Sequence, residues 1–126
     1  MKKVEIALSG LASALNEYQL IHGKGTYPTD PTKLPWGLPE SCNNEKATLS
    51  TASGWPLLWP CGDFYIGFGA TGASTGIVSA VLGFKGGNGG HYDRYANGSF
   101  HCRLTSGADA KAYKKYCEIN NLPIDS

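Results

Sequence analysis

"HYDRYANGSFHCRLTSGADAKAYKKYCEIN", residues 91–120, decides how the chain is built. Asn97-Gly98 is the dipeptide that two-residue type I′ hairpin turns prefer, because both central residues need positive φ. Strand-like runs flank it, so the stretch opens as a β-hairpin. A two-residue turn sets Tyr95 opposite Phe100 and Asp93 opposite Cys102. Side chains alternate along a strand. Phe100, Cys102 and Leu104 therefore share one face, and Ser99, His101 and Arg103 the other. Helix signals follow. Ser106 with Asp109 three residues later is a capping-box-like start, and Tyr113 and Cys117, four apart, lie on one face. An inward Cys102 is placed to staple this short helix to the sheet through Cys117.

Upstream, "DFYIGF" (63–68) and "GIVSAVLGF" (76–84) are β-branched and aromatic runs separated by glycine, with "KGGNGG" (85–90) as a connector. The sheet is thus expected over residues 63–104. At the other end, Val4, Leu8, Leu11, Leu15 and Tyr18 recur at spacings of 4, 3, 4 and 3, the stripe of an amphipathic helix. The helix is expected over residues 3–21, about 28 Å long. Gly23 and Gly25 stop it and Pro28 prevents its resumption. The stripe is too short for a free coiled coil, so it needs a sheet or another subunit to cover it.

Residues 26–61 hold six of the seven prolines and all three tryptophans, and residues 22–62 read as ordered, loop-rich structure. Trp36, Trp55 and Trp59 either plug the core or stack on sugars. The fold expected is α+β: an N-terminal amphipathic helix packed on an antiparallel β-sheet.

With 126 residues the chain makes one domain, residues 1–126. Its net charge is +1 and the only tight basic group is Lys111, Lys114 and Lys115, which argues against nucleic acid as a partner. The cysteines, Cys42, Cys61, Cys102 and Cys117, form no Cys-x-x-Cys pair, so zinc is not expected. Their number and spacing fit two disulfides in an oxidising compartment. Three connectivities are open. Nearest-neighbour pairing, Cys42–Cys61 and Cys102–Cys117, is favoured, each bond contributing about 3 kcal/mol. The start, "MKKVEIALSGLASALNE", has basic residues and Ala12-Ser13-Ala14, but Glu5 and Gly10 interrupt the apolar region, which is too polar for a signal peptide. A disulfide protein without an export segment is expected to continue before Met1 in its native form.

"DFYIGFGATGASTG" (63–76) carries two overlapping motifs. Gly67, Gly69 and Gly72 match the dinucleotide fingerprint; Gly72, Ser74 and Gly76 match the nucleophile elbow, with Asp93 and His101 following in hydrolase order. Both need strand, turn, then helix. "ASTGIVSAVLGF" continues as strand more readily than helix, and the expected register puts Asp93 and His101 on opposite faces. Neither chemistry is expected, and no catalytic residue, cofactor or metal is assigned. His22, His91 and His101 show no ligand spacing. Asp93, Asn97 and the carbonyls of residues 86–91 could offer oxygens to calcium, at low acidic density. Asn97-Gly98-Ser99 is also a glycosylation sequon, better explained as turn chemistry.

Two segments together resemble a known family. "ALSGLASALNEYQLIHGKGTYPTD" (7–30) is an amphipathic helix leaving through Gly-x-Tyr-Pro. "NGSFHCRLTSGADAKAYKKYCEIN" (97–120) is an Asn-Gly turn, strand, Cys, an alanine- and lysine-rich helix, Cys. In this order they resemble the globular domains of type IV pilins and type II secretion pseudopilins. Residues 36–90 match nothing in that pattern. The resemblance implies a pilin-like fold with a disulfide-bounded C-terminal loop, residues 102–117. It implies a non-enzymatic structural subunit of a cell-surface filament, serving assembly, motility or adhesion. Its partners would be other pilin subunits and, before assembly, the inner membrane through a hydrophobic helix half. The chain departs from the family where it matters for polymerisation: it has no prepilin cleavage site and no apolar segment, and Glu5 is not the family's early glutamate. The alternative is a secreted glycan-binding module using the Trp-rich loop.

Overall fold

The computed structural model describes residues 2–42, 48–50, 55–82, 90–105 and 107–125. Helix α1 spans Lys2–His22, one residue longer at each end than the periodicity predicts. Its buried stripe is Val4, Ala7, Leu8, Leu11, Ala14 and Leu15. Tyr18 is only partly buried against this core and stacks on His22 at 4.1 Å. The stop is as expected: Gly23, at φ 112, ends the helix while its N–H reaches the Gln19 carbonyl. The Gln19 amide then donates to the carbonyls of Thr26 (3.0 Å) and Ala73 (2.8 Å), tying the exit loop to residues 70–75.

Among the described residues the sheet has seven strands in chain order: β1 Thr48–Ser50, β2 Trp55–Cys61, β3 Phe64–Phe68, β4 Val78–Leu82, β5 Gly90–Arg94, β6 Phe100–Leu104 and β7 Ile124–Asp125. All neighbours are antiparallel except β6 and β7. The sheet is therefore wider than residues 63–104. Much of the region read as loop is strand. "WPLLWPC" is β2 despite Pro56 and Pro60. Gly62, at φ 75, and Asp63 join β2 to β3 with Cys61 paired to Phe64, the two-residue turn that needs glycine first. Such a turn makes Cys61 and Phe64 a hydrogen-bonded pair, so the odd residues of β2 address β3. Pro56 and Pro60 then fall where an N–H would face β1, a three-residue, irregularly paired edge strand. Missing donors are tolerated there.

Three other expectations change. Residues Ala70–Thr75 form a helix, α2, capped at its end by Gly76 in the left-handed region. The β5–β6 connection has three residues: Gly98 N–H bonds the Tyr95 carbonyl and Tyr95 N–H bonds the Ser99 carbonyl. Only Gly98 has positive φ there, so the turn is a type I turn followed by a bulge glycine. The register consequently slips by one: Arg94 pairs with Phe100 and Asp93 with His101. Helix α3, Ala110–Ile119, begins after Asp109, whose side chain makes no cap bond; Ser106 lies outside the described residues.

Helices α1 and α3 lie on the same face. Tyr92 and Cys102 are cross-strand partners. The Tyr92 hydroxyl donates to Glu5 of α1 at 2.6 Å, and Cys102 is bonded to Cys117 of α3. The core between them contains Trp59, Ile66, Phe68, Val78, Ala80, Tyr92 and Tyr113, all essentially inaccessible to solvent. Cys42 pairs with Cys61 as expected, fixing the loop after α1 to the end of β2.

Candidate functional site

The face of the sheet away from the helices carries the densest polar chemistry. Asp93 and His101 are directly opposed across β5 and β6, and Ser79 on β4 opposes Asp93 on its other side. Directly opposed residues share a face, so Asp93 and His101 lie together, contrary to the sequence expectation. The one-residue register slip is the reason. Asp93 is 1% exposed, and its carboxylate contacts His91 Nδ1. That contact leaves His91 with Nε2 directed elsewhere and the Trp55 ring edge-on at 5.8 Å.

His101 belongs to a second small network. Asn97 Oδ1 accepts from both the Ser99 N–H (3.0 Å) and the Ser99 hydroxyl (2.6 Å). A hydroxyl has one proton. With it committed to Asn97, His101 Nε2 donates to Ser99 Oγ across 3.1 Å. His101 therefore does not act as a base towards Ser99 in this arrangement. Next to it, the Tyr95 ring meets the imidazole at 5.0 Å, and the Tyr95 hydroxyl donates to Asp125 at 2.5 Å. This hydrogen bond, with partial burial, pushes the phenol up to about 12. On the helix side, burial first and Glu5 second raise Tyr92 above the usual tyrosine range.

Ser74, the elbow serine, is not part of either network. It sits on α2, where its hydroxyl reaches the Ala70 carbonyl at 3.4 Å, and it abuts Gly25 in the loop after α1. Ser74, Asp93 and His101 are not brought together as a triad. The glycine motif does enclose a strand and a helix, with Gly69 as N-cap of α2. Yet β3 and β4 are antiparallel, whereas the dinucleotide fingerprint joins parallel strands. The motif glycines have packing reasons instead. A Cβ on Gly67 would stand 2.2 Å from the Leu57 carbonyl oxygen, and one on Gly72 2.5 Å from that of Ile77.

The tryptophans do not form one platform. Trp59 is fully buried, and Trp36 meets it edge-on at 5.1 Å while covering Gly10 of α1. Trp55 lies across the sheet, over Gly67 and beside His91. The oxygens considered for calcium are likewise dispersed. Asp93 is engaged by His91, Asn97 by Ser99, and residues 86–89 lie outside the described residues. Sequence reasoning missed the pairing of His91 with Asp93. Their i, i+2 spacing in a strand was the available signal. Comparison with protein-family models, curated proteins and solved structures finds no match for this chain.

Proposed function

We propose that the chain is a structural, non-enzymatic subunit of a type IV pilus or a related secretion filament. One arrangement carries this reading: a long N-terminal helix laid along one face of a mixed sheet, antiparallel except for β6 and β7, with the C-terminal helix tied to that sheet by Cys102–Cys117. The order of these parts is the order of the resemblance in residues 7–30 and 97–120. Exposed apolar side chains on α1 add to it: Ile6, Leu20 and Ile21 are each more than half exposed, which suits a helix with further neighbours in an assembly. Among the described residues no helix is long and apolar enough to cross a membrane. The filament reading itself calls for a membrane anchor and a polymerising helix half ahead of this domain in the native protein, and puts the domain outside the cell once assembled.

The test is made on native material. The protein is recovered from mechanically sheared surface filaments of its source, and its mature N-terminus is read by sequencing and intact mass. About one further membrane-spanning length, ~20 mostly apolar residues, ahead of Lys2 is the expected result. Absence of the chain from the sheared fraction, with a mature N-terminus inside α1, overturns the proposal.

A further inference from the structure

A cleft of about 370 Å³ opens where α1 passes the end of the sheet, between the helix and the β5–β6 turn. Ser9, Ser13 and Asn16 come to it from successive turns of α1, and Arg94 from the end of β5. Ala96 and Gly76 leave the opposite wall low. Gly76 cannot be larger without strain: its φ is 78, and a Cβ there would stand 3.1 Å from that of Ala96. The cleft is within the size range of small-molecule sites.

Its electrostatics are unbalanced. None of the lining residues is acidic. Among the described residues the only ion pair is His91–Asp93, so Arg94 has no counter-ion. Its Nε is buried without an acceptor. A guanidinium presents five donors in a planar fork suited to a carboxylate. Two hydroxyls and an amide line the same cleft and can donate as well.

We propose that this cleft binds a small carboxylate-bearing solute, with Arg94 holding the carboxylate and Ser9, Ser13 and Asn16 completing its hydrogen bonds. Charge favours a carboxylate over phosphate: one guanidinium balances one monoanion and leaves a dianion half neutralised. The inference is independent of the filament reading.

Sodium benzoate titrated into the protein, followed by amide NMR, tests it. Saturable shifts are expected at Ala12, Ser13, Gly76 and Ala96, with none from benzamide, the neutral molecule of the same shape. Arg94→Gln should weaken benzoate binding about tenfold or more, since a charge-assisted bidentate contact is lost. Ser13→Leu, on an exposed helix position, should block the cleft with Arg94 retained, and it decides the matter if Arg94→Gln does not fold. Equal shifts with benzamide, or unchanged benzoate binding in both variants, overturn the proposal. Tighter binding of inorganic phosphate overturns the choice of carboxylate. Shifts at these amides that depend on protein concentration alone, with a dimer in sedimentation, show that an acidic group of a second copy fills the cleft, which overturns the solute assignment.

Discussion

Tyr95 shows how much a single side chain binds together here. Its hydroxyl joins the start of the β5–β6 turn to Asp125 on the last strand, and this bond is made by the neutral phenol. The folded value of about 12 lies above the ordinary 10.0, so the folded state holds its proton longer. The stability it contributes is fully present below about pH 10 and is lost as pH rises through about 12. Urea unfolding across that window should show a smaller loss in Tyr95→Phe than in the parent. An identical loss would detach the effect from this residue. Some loss should persist in the variant, because burial also raises Tyr92 and Tyr113. Glycine positions give a second contrast. At Gly67 an added methyl collides with the Leu57 carbonyl at 2.2 Å, whereas at Gly37 nothing lies within 4 Å. Gly67→Ala should cost about 1–3 kcal/mol by overpacking, and Gly37→Ala should stay within about 0.5 kcal/mol, both read by denaturant unfolding.

At the scale of elements, α1 is held by what it buries. Leu8 and Leu11 are completely covered, while Ile6 is 62% exposed. Leu8→Ala should cost about 2–5 kcal/mol, and Ile6→Ala should fall within about 0.5 kcal/mol; similar losses for both would mean that α1 does not pack by this stripe. Helix α3 is short, ten residues, and a helix of that length is marginal on its own. Its anchors are Cys117, Tyr113 and the bond from Leu122 N–H to the Cys117 carbonyl. Replacing Cys102 and Cys117 together by serine should cost about 3 kcal/mol and raise amide exchange across α3 well above that in β3 and β4. Uniform exchange in both would show that α3 and the sheet open as one unit. The helix stripe was legible because a 3.6-residue period has one physical cause, a single buried face. Strand β2 was not, because its two prolines argue against a central strand unless the neighbour on one side is known to be a short edge.

For the whole molecule, one face of the sheet is covered by α1 and α3, and the other carries Trp55, His91, Asp93 and Arg103 across β2, β5 and β6. The filament proposal makes a prediction at this scale. Chemical crosslinking of native filaments should give intersubunit links from Lys2 and Lys3 at the start of α1. Links confined to Lys114 and Lys115 on α3 would place the subunit contacts elsewhere.

The amino-acid order by itself determined the N-terminal helix and its stop at Gly23 and the existence of a β5–β6 hairpin, since each depends on residues close together in the chain; it favoured the cysteine pairing Cys42–Cys61 and Cys102–Cys117 but left three connectivities open, and the tertiary structure selected this one. Tertiary structure decided the rest. Asn97-Gly98 is compatible with two loop lengths, because both place Gly98 at positive φ. Only the three-residue loop leaves Phe100 opposite Arg94 and puts Asp93 beside His101. The sheet's outer members, β1 and β7, are three and two residues long, too short to show a period of their own. They exist because a neighbouring strand already presents its hydrogen bonds. The Arg94 cleft is likewise a meeting of residues 9–16 with residues 76–96, and no local pattern records that contact.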